Sequence, residues 1–166
     1  KSFYMNLTVK AFPIAENMDV FDEEIKNSIQ DGLDEDTVGI IYEGIGRTLS
    51  DAFLALSGIL NGCDKDKIHH KVVDGLKNSI KRVGLKNVFC NNKVEKVKKE
   101  MEELVLNIDD IFMVQEKAEC LLAEIYGYAT ELKIVQYIDT SKCPLNPKEL
   151  LSIFEDYTGS QLMLSV

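Results

Sequence analysis

Residues 38–60 read VGIIYEGIGRTLSDAFLALSGIL, and the spacing of their apolar side chains decides the fold class. Val38, Ile41, Ile45, Leu49, Ala52, Leu56 and Leu60 recur at steps of three and four, which places them on one face of an α-helix. Asp34-Glu35-Asp36 stands where the helix dipole favours acids, and Asn61-Gly62 supplies a stop. The stretch also carries Gly39, Gly44, Gly46 and Gly58, each costing about 1 kcal/mol relative to alanine in a helix interior. Glycines at that cost point to close approach of a neighbouring element. A kink or a ligand cavity is the alternative.

The same spacing extends in both directions. Residues 1–16 lack helical periodicity, contain Pro13 and read as an extended N-terminal segment. Met18, Phe21, Ile25 and Ile29 mark a helix over 18–30, closed by Gly32. Beyond the opening stretch, Ile68, Val72, Leu76, Ile80 and Val83 predict a helix over 65–83, capped by Asp64 and ended by Gly84. From Val94 the periodicity runs almost to Ile138, about 65 Å as one rod, too long for a compact domain. A break is expected at Asn107-Ile108-Asp109-Asp110, where an aspartate caps a fresh helix that then continues toward Ile138; Gly127 is the competing break. Asn146-Pro147-Lys148-Glu149 announces the last helix with a cap, a proline at the first helical position and a glutamate three residues after the cap. Short connections make consecutive helices antiparallel neighbours. The expectation is an all-α, up-and-down antiparallel bundle of five to six helices, formed as one domain by residues 17–166.

Composition agrees with a packed domain. In 166 residues, 45% hydrophobic and 28% charged content suffices for a core and argues against disorder. No apolar run reaches the roughly 18–20 residues of a membrane span. The chain starts at Lys1, and a removed secretory signal is one route to such a start. Cys63, Cys90, Cys120 and Cys143 show no C-x-x-C spacing, which disfavours zinc; an even number suits two disulfides in an extracellular protein. Cys63 and Cys90 flank the helix at 65–83 and lie about 30 Å apart by helical rise, so they cannot pair. With the helix after Asp110 returning to the end that holds Cys90, the expected bridges are Cys63–Cys120 and Cys90–Cys143.

No catalytic constellation stands out. Gly44-Ile45-Gly46 is half a dinucleotide fingerprint, but it lies inside a helical stripe with no preceding strand. His69 and His70 are the two histidines; His70 with Asp66 and Asp74 forms an i−4, i, i+4 row that reads as a solvated face before it reads as a metal site. The expectation is therefore a non-enzymatic protein without metal or cofactor.

Charge is the more informative feature. Residues 65–99 hold eleven of the nineteen Lys/Arg against three acids, a net +8, which leaves −17 on the rest of a chain whose total is −9. Residues 16–51 hold eleven acids against Lys26 and Arg47. Lys67, Lys71, Lys77, Lys81, Arg82, Lys86, Lys93, Lys96, Lys98 and Lys99 are the candidate partner-binding residues, expected to share one face of two antiparallel helices. Their partner would be polyanionic: another protein or a sulfated glycan. Nucleic acid is disfavoured, because Phe89 is the one aromatic among these bases and the whole chain is acidic. The resulting expectation is a secreted interaction protein, an effector or modulator. A carrier of a small hydrophobic ligand, held between helices by Phe53, Phe112, Tyr126, Tyr128 and Tyr137, is the alternative.

Overall fold

The computed structural model describes residues 35–64 and 67–164. The segment 1–16 and the helix expected over 18–30 lie outside the described residues. Five α-helices are described: α1 (Glu35–Gly62), α2 (His70–Lys86), α3 (Asn92–Leu106), α4 (Ile111–Glu131) and α5 (Pro147–Leu164). Two-residue strands, β1 (Cys63–Asp64) and β2 (Lys67–Ile68), join α1 to α2, and a 3-10 turn at Val135–Tyr137 precedes α5. The chain is all-α, as its apolar spacing indicates.

α1 is the axis of the bundle, about 42 Å long by helical rise. Its buried stripe is Ile41, Ile45, Leu49, Ala52, Phe53, Leu56 and Ile59. The hydroxyls buried with it are satisfied inside the helix: Thr48 donates to the Gly44 carbonyl at 2.8 Å and Ser57 to that of Phe53 at 2.9 Å. α2 lies antiparallel beside it, with Val72 against Gly62 at one end and Phe89, just beyond α2, against Gly44 at the other. α3 and α4 are antiparallel too, as the pairs Lys93–Tyr128, Lys96–Glu124 and Glu103–Lys117 show. α4 returns to contact α1, and α5 lies on α4 with the Phe154 ring over Gly127.

Local chemistry explains most boundaries. Asn91 caps α3 by accepting from the Val94 amide, and Asp110 caps α4 by accepting from the Met113 amide. Asn146 accepts from the Lys148 and Glu149 amides while Glu149 accepts from the Asn146 amide, a complete capping box for α5. The start of α2 differs from expectation. Cys63 pairs with Ile68 and Asp64 with Lys67 as an antiparallel ribbon, so the helix begins at His70. Its other end passes through Gly84 to Lys86, because a helical glycine weakens but does not end a helix that neighbours hold on its buried side.

The end of α4 changes the topology. The helix stops at Glu131 instead of continuing to Ile138. Lys133 takes φ 58°, its amide donates to the Thr130 carbonyl, and the Ile134 amide donates to that of Ala129 at 2.8 Å. This is a Schellman turn with lysine at the left-handed position that glycine usually fills. From there the chain climbs back along α1. The Tyr137 ring seats on Gly46, the Asp139 amide approaches the Ser50 hydroxyl at 3.5 Å, and the Lys142 carbonyl accepts from the Asn61 side chain at 2.7 Å.

That climb overturns the expected disulfides. No two cysteines are joined among the described residues. Cys143 follows Lys142 to the end of α1 that Cys63 occupies, whereas Cys90 adjoins Phe89 at the Gly44 end. Cys120 lies along α4 among the charges of Glu100 and Glu124, and not at the end of α1. The pairings Cys63–Cys120 and Cys90–Cys143 assumed a helix that never turned back.

Two outcomes follow for stability. A Cβ at Gly46 would stand 2.7 Å from a Tyr137 ring carbon, so Gly46→Leu is expected to overpack this seam and destabilise by about 1–3 kcal/mol. Lys133→Gly should act in the opposite direction, relieving the left-handed backbone by roughly 0.5–1 kcal/mol. Urea midpoints at unchanged slope measure both.

Candidate interaction surface

The ten bases singled out by charge do not share one face. Three of them are tied into packing. Lys86 reaches across to Asp51 of α1 at 2.5 Å. Lys96 bridges to Glu124 of α4 at 2.6 Å and lies 3.7 Å from Glu100. Lys98 pairs with Glu95 at 3.2 Å, and its aliphatic stem covers Gly84 of α2. Lys93 turns toward α4, its ammonium 5.6 Å from the centre of the Tyr128 ring. Lys67, Lys71, Lys77, Lys81, Arg82 and Lys99 are exposed and make no ion pair among the described residues.

α2 concentrates the unpaired charge. Leu76, Ser79, Ile80 and Val83 are its buried side, and Ser79 donates to the Asp51 carbonyl across the α1 seam at 2.9 Å. Its helical repeat therefore turns Lys71, Asn78, Lys81, Arg82 and Leu85 outward. Leu85, 80% exposed, is one turn from both Lys81 and Arg82. Val88, 70% exposed, extends the apolar part into the α2–α3 connection. Sequence reasoning found the cations and missed the two apolar side chains. Leu85 falls outside the buried stripe, and that offset was the available signal.

Where α2 begins, a cleft of about 280 Å³ opens toward the α3–α4 turn. Its polar lining includes Lys67, His70, Asp74, Lys77 and Asp109, with isoleucines from both sides as the apolar part. His70 and Asp74 thus share one space, while Asp66 lies outside the described residues. No cluster of three His, Cys, Asp or Glu side chains in metal-binding arrangement occurs among the described residues.

The aromatics considered for a ligand cavity are dispersed. Phe53 is in the core, Phe112 is 79% exposed, Tyr137 covers Gly46, and the Tyr128 hydroxyl accepts from the Asn91 amide group at 3.2 Å. No helix among the described residues is long and apolar enough to cross a membrane. No protein family matches the chain, and no curated protein or solved structure shows significant similarity to it.

The α3–α4 seam has its own electrostatics. Burial works against the Lys96 ammonium, but the hydrogen bond and charge of Glu124, with Glu100 adding, outweigh it and hold the proton above the ordinary lysine range. Burial, then the Glu124 charge, pushes the Glu100 carboxyl up. A carboxyl with a raised folded-state pKa opposes folding when ionised, and this opposition fades as pH falls through that pKa. Glu100→Gln should therefore raise the melting temperature at neutral pH, and the gain over wild type should shrink on acidification. Melting curves across the carboxylate range check the sign. Lys96 acts in the other direction: its contribution persists below the lysine range and is lost as pH rises through its raised pKa.

Proposed function

We propose that this chain is a non-enzymatic, extracellular interaction protein that binds an acidic protein partner through the outer face of α2. The observation that carries the reading is the conjunction of Lys71, Lys81 and Arg82, exposed and without ion pairs among the described residues, with the adjoining exposed Leu85. At other positions acids draw lysines into seams: Lys86 at the end of α2, Lys96 on α3 and Lys117 on α4. On the outer face of α2, Lys71, Lys81 and Arg82 are left to solvent, inside an acidic protein whose net negative remainder favours one orientation of approach. An apolar anchor beside the cations suits a protein better than a sulfated glycan, which offers no matching apolar group. The extracellular part of the proposal is carried over from the sequence, where four cysteines occur without the C-x-x-C spacing of a metal or redox site. The hydrophobic-carrier reading has less support, because the rings of Phe89 and Tyr137 occupy the bare backbone at Gly44 and Gly46.

An acidic peptide that includes aromatic residues, titrated onto the intact chain, tests the proposal. Binding should weaken steeply with salt, since screening acts over about 8–10 Å at physiological ionic strength. Changing Lys71, Lys81 and Arg82 together to glutamate should slow association about tenfold at low salt and leave melting nearly unchanged. Leu85→Ala should mainly speed dissociation. Unchanged peptide binding by a folded triple variant would overturn the reading. Retention on heparin without peptide binding would reassign the surface to a glycan.

A further inference from the structure

Cys63 and Cys143 lie at the same end of the bundle although eighty residues separate them in the chain. Asn61, two residues before Cys63, donates to the carbonyl of Lys142, the residue before Cys143, at 2.7 Å. Both cysteines are half-buried and packed on the core. The ribbon pairing of Cys63 with Ile68 and the Cys143 amide's bond to the Thr140 carbonyl fix the backbone on each side.

The other two cysteines are elsewhere. Cys90 follows Phe89, whose ring lies on Gly44, and the rise from Gly44 to Asn61 along α1 is about 25 Å. Cys120 is half-buried on α4, where burial and then the charges of Glu116, Glu119, Glu100 and Glu124 push its thiol up and keep it protonated. A protonated thiol is a poor nucleophile for exchange.

We propose that Cys63 and Cys143 form a disulfide under oxidising conditions, fastening the segment between α4 and α5 to the end of α1. The two sulfurs are not bonded in this structure. Closure needs an oxidant, and a small disulfide such as oxidised glutathione supplies it. One cysteine thiolate attacks the glutathione S–S bond, forming a mixed disulfide and releasing one glutathione. The second thiolate then attacks the protein sulfur of that mixed disulfide, forming the Cys63–Cys143 bond and releasing the second glutathione. Two protein thiols are oxidised, one glutathione disulfide is reduced, and the two protons end on the released glutathione thiols. The proposal does not depend on what the outer face of α2 binds.

The test is non-reducing peptide mapping of the full chain after equilibration in glutathione redox buffers, with acid quench and alkylation. The expected result is a joined pair of peptides carrying Cys63 and Cys143, with Cys90 and Cys120 alkylated. Joining of either cysteine to Cys90 or Cys120 within one chain, or alkylation of all four in the most oxidising buffer, overturns the proposal. In the double variant Cys90→Ser, Cys120→Ser, the link should persist and the oxidised protein should melt at a higher temperature than the reduced one. Equal melting of the two forms contradicts the fastening role.

Discussion

Two aromatic rings seated on bare helix backbone hold this arrangement together. A Cβ at Gly44 would stand 2.6 Å from a Phe89 ring carbon, and one at Gly46 would stand 2.7 Å from Tyr137. Positions two residues apart on a helix point about 200° apart, so the rings grip α1 from opposite sides. One ring belongs to the α2–α3 connection and the other to the segment after α4. Glycine weakens the helix at both places, and the buried apolar stripe from Ile41 to Ile59 compensates through tertiary packing.

From the Tyr137 seat follows the course of the chain between α4 and α5. Had α4 continued to Ile138, Cys143 would have emerged near Cys90. The left-handed Lys133 reverses the direction, buries Ile134 and sends the chain up α1 to Asn61. The placement of the cysteines, and hence which of them can meet, is a consequence of one backbone reversal.

The helical parts were largely legible from apolar spacing and caps. The α1 stripe, the break at Asn107–Asp110 and the Asn146–Glu149 capping box all appear where those signals place them. The turn at Lys133 was not legible, because its usual marker is glycine and the apolar residues Ile134, Val135 and Ile138 continue a helical rhythm on paper. The ribbon at Cys63–Ile68 was too short to show a period-two pattern. On the candidate surface, charge counting picks out the segment richest in cations, yet it could not separate cations that serve packing from those left to solvent. Lys86, Lys96 and Lys98 find acids or a glycine across a seam, and that depends on which helix each residue faces. Leu85 was invisible to charge counting altogether.

These links make the return segment the central claim, because the packing of α1, the fate of the cysteines and the end of α4 all depend on it. Isotope-edited NOE spectroscopy reads it directly. The account requires strong cross-peaks between the Tyr137 ring protons and the Gly46 Hα protons, together with cross-peaks from the Asn61 side-chain amide to Lys142 or Cys143. A continuous run of helical NOEs from Thr130 through Ile138, with no contact from Tyr137 to Gly46, would contradict it.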